Sequence, residues 1–284
     1  MKKFLMFMDD ADDAVVYPVE RLYSMICPSN ALINLKFESS IGSGGTDGAA
    51  ADLVALTITA DTQKQVMAKI SETIADEKGP SLIVVANDVK NAATTWISVP
   101  DGDANCTLTE KNYVTLKSTD GTSKTYVFID DNATTVATGD ILAESSDTGA
   151  GIAGPELIGG IGVAINLTGS ISNQNAALVQ LKAAIEHSNG HNGKILVSSV
   201  PVAANGRQKI TLTQNVAGNA GNTLVLYSAK VGQLGFADGS VPTSGVDIRP
   251  AFASAGLGKA SFTGGTDAQF IHDDITACAI TIDT

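Results

Sequence analysis

Arginine is nearly missing from this chain: Arg21, Arg207 and Arg249 are set against 30 carboxylates. Without a basic face a protein cannot neutralise a phosphate backbone, which speaks against nucleic acid as the main partner. The net charge of −12 speaks equally against an anionic membrane surface. Aromatic side chains make up 5 %, with Trp96 the single tryptophan, so sugar stacking is poorly served. No apolar run approaches the ~18–20 residues of a membrane span. The apolar run at the start ends at Asp9 and Asp10, too short for a signal-peptide core. Cysteine is scarce too. Cys27, Cys106 and Cys278 form no CxxC pair and read as free buried thiols in a reducing compartment, though one bridge plus a spare fits as well.

What is present is β patterning. Hydrophobic residues reach 44 % and charged residues only 17 %, the balance of a chain with a real core. Apolar residues alternate with polar ones over 31–37, 53–59 and 209–213, the period of a half-buried strand. Further strands are predicted over 3–8, 21–26, 82–86, 96–99, 113–116, 125–129, 163–167, 194–200, 224–227 and 277–282. Turn pairs such as Asp120-Gly121 and Asn205-Gly206 separate them.

Two segments break this pattern. Residues 62–77 place Val66, Met67, Ile70 and Ile74 on one helical stripe, with Asp61 as candidate cap. Residues 173–187 do the same with Leu178, Leu181 and Ile185, behind Ser172. The two segments match each other at a constant spacing of 111 residues, as in Val54 and Ile165, Gln63 and Gln174, and Ile70 and Leu181. The expected fold class is therefore α+β and β-rich. It would hold two related modules, each an antiparallel sheet with one amphipathic helix on a face. Their expected extents are 1–106 and 107–284, the second carrying Gly/Ala/Ser-rich arms at 140–162 and 232–258 that would order on a partner.

Catalytic apparatus is hard to assemble from these residues. His187 and His191 are four apart, but Asn189-Gly190 between them ends the helix, so a shared metal face is not expected. His272 beside Asp273 and Asp274 reads as a polar turn. Residues 101–105 have the D-x-D-x-N spacing that opens a calcium loop. Cys106 stands where that loop needs glycine, and Asn112 where it needs glutamate. Asp9–Asp13 and Asp130–Asn132 read as solvated turns. The glycine-rich stretches 42–45 and 159–162 lead into strands, not into helices that would aim amides at a phosphate. No catalytic, cofactor or metal residue is assigned, and no enzyme activity is expected.

The second module ends in Ile210-Thr-Leu-Thr-Gln-Asn-Val-Ala-Gly-Asn-Ala-Gly-Asn-Thr-Leu-Val225, followed later by Ser261-Phe-Thr-Gly-Gly-Thr-Asp267. With the hairpin at 114–129 and the Ala-rich helix at 176–185, this resembles a module of virion structural proteins of tailed bacteriophages, particularly marine cyanophages. The start, Lys2-Lys-Phe-Leu-Met-Phe, with Leu56-Thr-Ile-Thr and Lys64-Gln-Val-Met-Ala-Lys-Ile, is similar to the beginnings of other small cyanophage virion proteins. The resemblance implies a capsid decoration (cement) protein on the outer capsid surface. Its implied partners are the major capsid protein and further copies of itself, with no cofactor. A tail or baseplate protein is the alternative, and a carbohydrate-binding β-protein a more distant one.

Overall fold

A computed structural model describes residues 2–38, 51–99, 113–129, 137–143, 161–166, 174–202, 208–228, 235–236 and 258–282. The chain forms two compact units. One joins Met1–Lys90 to Asp267–Thr284, and the other is continuous, Asn91–Thr266.

The first unit begins with β1 (Phe4–Met8), β2 (Ala14–Pro18), β3 (Leu22–Ser29), β4 (Leu32–Glu38), β5 (Ala51–Ile58), α1 (Gln63–Ala75) and β6 (Leu82–Asn87). The second unit supplies β7 (Thr94–Val99), β8 (Tyr113–Lys117), β9 (Ser123–Ile129), β10 (Ile141–Ala143), β11 (Ile161–Asn166), α2 (Gln174–Glu186), β12 (Ile195–Val197), β13 (Gln208–Gln214), β14 (Leu224–Ser228), β15 (Gly235–Phe236) and β16 (Gly258–Ser261). The chain then returns to the first unit for β17 (Gln269–Phe270) and β18 (Ile275–Thr281). Four sheets and two helices among the described residues make this a β-rich α+β fold, as expected, but the sheets are not purely antiparallel: β1 pairs with β6, and β11 with β9, in parallel, because a helix or long connection returns the chain in the same direction.

In the first unit the sheets run β17-β6-β1-β2 and β18-β5-β4-β3. Strict alternation in β4 and β5 turns Ile33, Leu35, Phe37, Val54 and Leu56 inward, where they meet Leu5 and Phe7 of β1. Aromatic rings join the two inner faces. Tyr17 stacks on Phe37 at 4.2 Å, and Phe7 meets Phe37 edge-on at 5.8 Å. Helix α1 adds Val66 and Ile70 to this core. The Lys3 ammonium donates to the carbonyls of Thr73 and Asp76, satisfying acceptors that the helix end leaves open. Asp61 does not cap α1. The capping position is Thr62, whose hydroxyl donates to the Thr59 carbonyl, while Asp61 takes a left-handed turn at φ 67°.

In the second unit the sheets run β10-β11-β9-β8-β14-β16 and β12-β13-β7-β15. Helix α2 lays Ala177, Leu178, Leu181, Ala184 and Ile185 against inward residues of both sheets, such as Ile165, Tyr126, Ile195 and Ile210. β8 and β9 are buried on both faces along most of their length, which is why apolar residues occupy successive positions at Tyr113-Val114 and Tyr126–Ile129. On the face away from α2, the Thr115 and Thr125 hydroxyls bond across the hairpin at 2.8 Å.

The compact units divide the chain differently from the expected 1–106 and 107–284. β7, expected to close the first module, pairs with β13 from Thr94↔Thr213 to Val99↔Gln208. At the other end, β18 pairs with β5. Alternation reports which face of a strand is buried; it does not report which strand lies beside it. The supposed arms at 140–162 and 232–258 are also tied down at their ends, by β10, β11, β15 and β16, and their middles lie outside the described residues. Cys27 is exposed rather than buried, whereas Cys278 is buried and its thiol is pushed up to about 12 by burial and by nearby Asp9, Asp88 and Asp13.

Candidate functional site

The described residues hold a cleft of about 290 Å³ in the second unit. It lies between the β8–β9 turn (Ser118, Thr119, Asp120), the loop after α2 (Asn192, Gly193, Lys194) and the end of β13 (Asn215, Val216). Each wall follows from local sequence. Asp120-Gly121 makes the tight turn, with Gly121 at φ +86° and the Asp120 carboxylate accepting from Ser118 Oγ (2.6 Å) and Thr122 N (3.0 Å). After α2 the chain doubles back so closely that a Cβ on Gly190 would sit 2.2 Å from the Ala184 carbonyl oxygen. Only glycine fits there. The amides of His191 and Asn192 then both reach the Ile185 carbonyl.

The polar side chains around the cleft are engaged with one another. Lys194 Nζ lies 2.7 Å from Asp120 Oδ2 and donates to Thr122 Oγ1 at 2.8 Å. The Lys194 bond, then those from Ser118 and Thr122, hold the Asp120 carboxyl well below the usual carboxylate range. Nearby, the wholly buried His191 ring shares a 2.6 Å hydrogen bond with the Tyr126 hydroxyl through Nδ1. Its Nε2 lies 3.3 Å from the Thr122 carbonyl oxygen. A carbonyl only accepts, so Nε2 carries the proton and Nδ1 accepts from Tyr126. Burial drives the His191 pKa down to about 4, against the raising effect of the Thr122 carbonyl, so the ring is neutral at pH 7. Burial also pushes the Tyr126 hydroxyl upward. Chemically, this arrangement is a set of pins joining the β8–β9 turn, β9 and the loop after α2.

A second polar cluster gathers the two sequence motifs within 210–225 and 261–267. Gln214 is buried and uses its whole amide. Oε1 accepts from Thr119 N (2.9 Å) and Thr119 Oγ1 (3.2 Å), while Nε2 donates to the Lys117 carbonyl (2.9 Å) and Thr223 Oγ1 (3.1 Å). Asn222 pairs with Gly265 through two 2.9 Å bonds, side-chain amide to backbone. A Cβ at Gly265 would stand 2.4 Å from the Gly218 carbonyl oxygen, so a side chain there would push the two loops apart. Asn91 and Thr266, the first and last residues of the unit, close the cluster. Their backbones exchange bonds of 3.2 and 3.1 Å, and Gly218 N donates to Asn91 O at 3.0 Å. The segments 214–222 and 262–266 thus form one clasp at the point where the chain crosses into and out of the unit.

The other residues weighed in the sequence are scattered. His187 accepts from Asn189 N at 3.2 Å and ends α2. His272 lies 3.4 Å from Asp274 Oδ2 within its own turn. Asp10 accepts from the amides of Asp12 and Asp13, which makes 9–13 a hairpin turn. Residues 42–45, 101–106, 130–132 and 159–160 lie outside the described residues. No group of three His, Cys, Asp or Glu side chains among the described residues could hold a metal ion. No described helix is long and apolar enough to cross a membrane. Trp96 is half-buried with Lys209 Nζ 5.8 Å from its ring centre. Sequence reasoning missed the Tyr126–His191 pair because its members lie 65 residues apart. It also missed the Tyr17–Asp52 hydrogen bond in the first unit, where burial and then the Asp52 carboxylate push the phenol up to about 12. The one available signal was an Asp at an inward-facing position of an alternating strand.

Comparison with family models, with curated proteins and with solved structures returns no match for this chain.

Proposed function

We propose that this chain is a structural protein of a tailed-phage virion, a decoration protein that binds the outer surface of the major capsid protein and associates with further copies of itself. The observation that carries the reading is the clasp: the residues that resemble virion modules, 214–222 and 262–266, meet in space and close one unit of the fold. The rigid β architecture, the polar groups engaged in pinning loops and the acidic, Arg-poor composition all suit a part that lies on a shell away from packaged DNA. In this reading the chain carries two related modules, each with one amphipathic helix against its sheets, spaced by 111 residues. Binding would stabilise the head through buried area shared with the capsid lattice.

The test is to delete the gene or strip the protein from particles, then heat or osmotically shock the heads. Earlier rupture of stripped heads and immunogold label over the head support the reading. Unchanged head stability with label on the tail transfers the protein to the tail or baseplate.

A further inference from the structure

Two Asn-Gly pairs stand three residues apart in the loop after α2, Asn189-Gly190 and Asn192-Gly193. Such a pair can react with itself. The glycine amide nitrogen attacks the Asn side-chain carbon, and glycine has no side chain to block the approach. The attack needs a glycine N–H without an acceptor and an Asn carboxamide without a partner. It also needs room for the peptide plane between them to turn. The two pairs differ on all three counts.

Asn189-Gly190 is locked. Gly190 N donates to the His187 carbonyl at 2.9 Å, and the Asn189 carboxamide donates to the Gly139 carbonyl at 3.0 Å. Gly190 is buried against the end of α2, so its peptide plane has no room to turn. Asp120-Gly121 across the cleft, which could cyclise in the same way, is locked as well. Gly121 N donates to the Ser118 carbonyl at 2.9 Å, and the Asp120 carboxylate is held by Lys194, Ser118 and Thr122. Asn192-Gly193 is an exception in this cleft wall. Among the described residues neither the Gly193 N–H nor the Asn192 carboxamide makes a hydrogen bond. Both residues are exposed, and a Cβ on Gly193 would meet nothing within 4 Å. The bond that spans the pair, Lys194 N to the His191 carbonyl at 3.0 Å, ends on an exposed residue and opens as the plane turns.

We propose that Asn192 is a site of spontaneous deamidation and isomerisation, from which the fold protects Asn189 and Asp120. Gly193 N forms a bond to Asn192 Cγ, and the Cγ–Nδ2 bond breaks. The proton lost from Gly193 N leaves with the side-chain amide as ammonia. Water then opens the cyclic imide at either carbonyl, giving aspartate or isoaspartate. Both products place a new carboxylate in the cleft wall that Asp120 and Lys194 already line. Isoaspartate also adds one carbon to the main chain between residues 192 and 193. That shifts the loop whose His191 and Lys194 reach Thr122 on the β8–β9 turn. The modification stands apart from the virion role and holds whatever the protein binds. Aged and freshly made molecules then differ in charge and in how firmly this turn is held.

The experiment is peptide mapping of the whole chain after weeks in mildly alkaline heavy-oxygen water, beside a sample aged unfolded in urea. Hydrolysis of the imide leaves one heavy oxygen at the reacted residue. Trypsin cuts after Lys182, Lys194 and Arg207, so Asn189 and Asn192 share one peptide and Asn205 falls in the next. Fragment ions of the shared peptide are expected to place the label on Asn192 and not on Asn189 in the folded chain. In urea both acquire it at similar rates, because the bonds that lock Asn189-Gly190 are gone. Gly193→Asn, which tolerates the positive φ of 82° and meets open space there, slows labelling at Asn192 severalfold. Absence of label at Asn192, or equal labelling of Asn189 and Asn192 in the folded chain, overturns the proposal. So does the same preference for Asn192 in urea, or labelling unchanged by Gly193→Asn.

Discussion

The first unit is held by rings and aliphatic side chains where two sheets face each other, with Phe37 touching both Phe7 and Tyr17. The second unit places a helix against both of its sheets and adds buried polar pins, Tyr126–His191 and the four-bonded Gln214. The helices are the same length, thirteen residues, and 111 residues apart. Yet the strands before them differ in direction. β5 lies antiparallel to β4, whereas β11 lies parallel to β9 after the chain has added β10. A helix of the same length thus follows strands of two different topologies. The unit with the longer connections uses directional bonds to hold its loops, which apolar packing alone cannot orient.

Substitutions should separate these two modes of stabilisation. Trp96, the single tryptophan, reports on the second unit by fluorescence, and labelling of buried Cys278 reports on the first. The largest effect is expected from Phe37→Ala, about 4 kcal/mol from a lost aromatic core side chain. It should expose Cys278 to thiol reagents in less denaturant while the Trp96 transition stays in place. Equal movement of both transitions would mean that the units unfold together. Gln214→Leu should cost about 3 kcal/mol, because the Thr119 amide and Lys117 carbonyl lose buried partners. That loss should be read by Trp96 alone in urea titration.

Acid gives the next effect. His191 has its folded pKa depressed to about 4, below an unfolded value near 6.5. The unfolded chain therefore binds the extra proton first. The stability this group contributes is whole above pH ~6.5 and is lost as pH falls towards ~4, about 3 kcal/mol over that window. The Trp96 melting temperature should fall across it, and His191→Asn should flatten the fall. Alkali separates the units less, since each buries a tyrosine whose pKa is raised. The smallest effect is expected from Tyr126→Phe, about 1 to 2 kcal/mol for one buried bond whose acceptor is left unpaired. It should be seen in the Trp96 transition and not in Cys278 labelling.

The sequence revealed what is local and periodic. Alternation in 31–37 and the stripe through Val66 and Ile70 marked a strand and a helix that stand within a few residues of the predicted ends. Edge strands such as β2 and β17 escaped notice. Their outward residues are as apolar as their inward ones, or they are two residues long. Pairing across distance was also hidden, because nothing at Val99 signals Gln208 as its partner. The polar clusters were hidden for the same reason: Gln214 reads as an ordinary strand residue until Lys117 and Thr119 are brought to it. The AGNAGN and TGG strings could be seen as motifs, but their purpose became visible only when Asn222 and Gly265 met.

The backbone bonds between Asn91 and Thr266 have a consequence for how such a protein is assembled over evolutionary time. Residues 91–266 start and finish side by side, so the segment has the form of a cassette. Excision with Lys90 rejoined to Asp267 through a short linker would leave every strand of the first unit in place, and a different cassette could be spliced into the same gap.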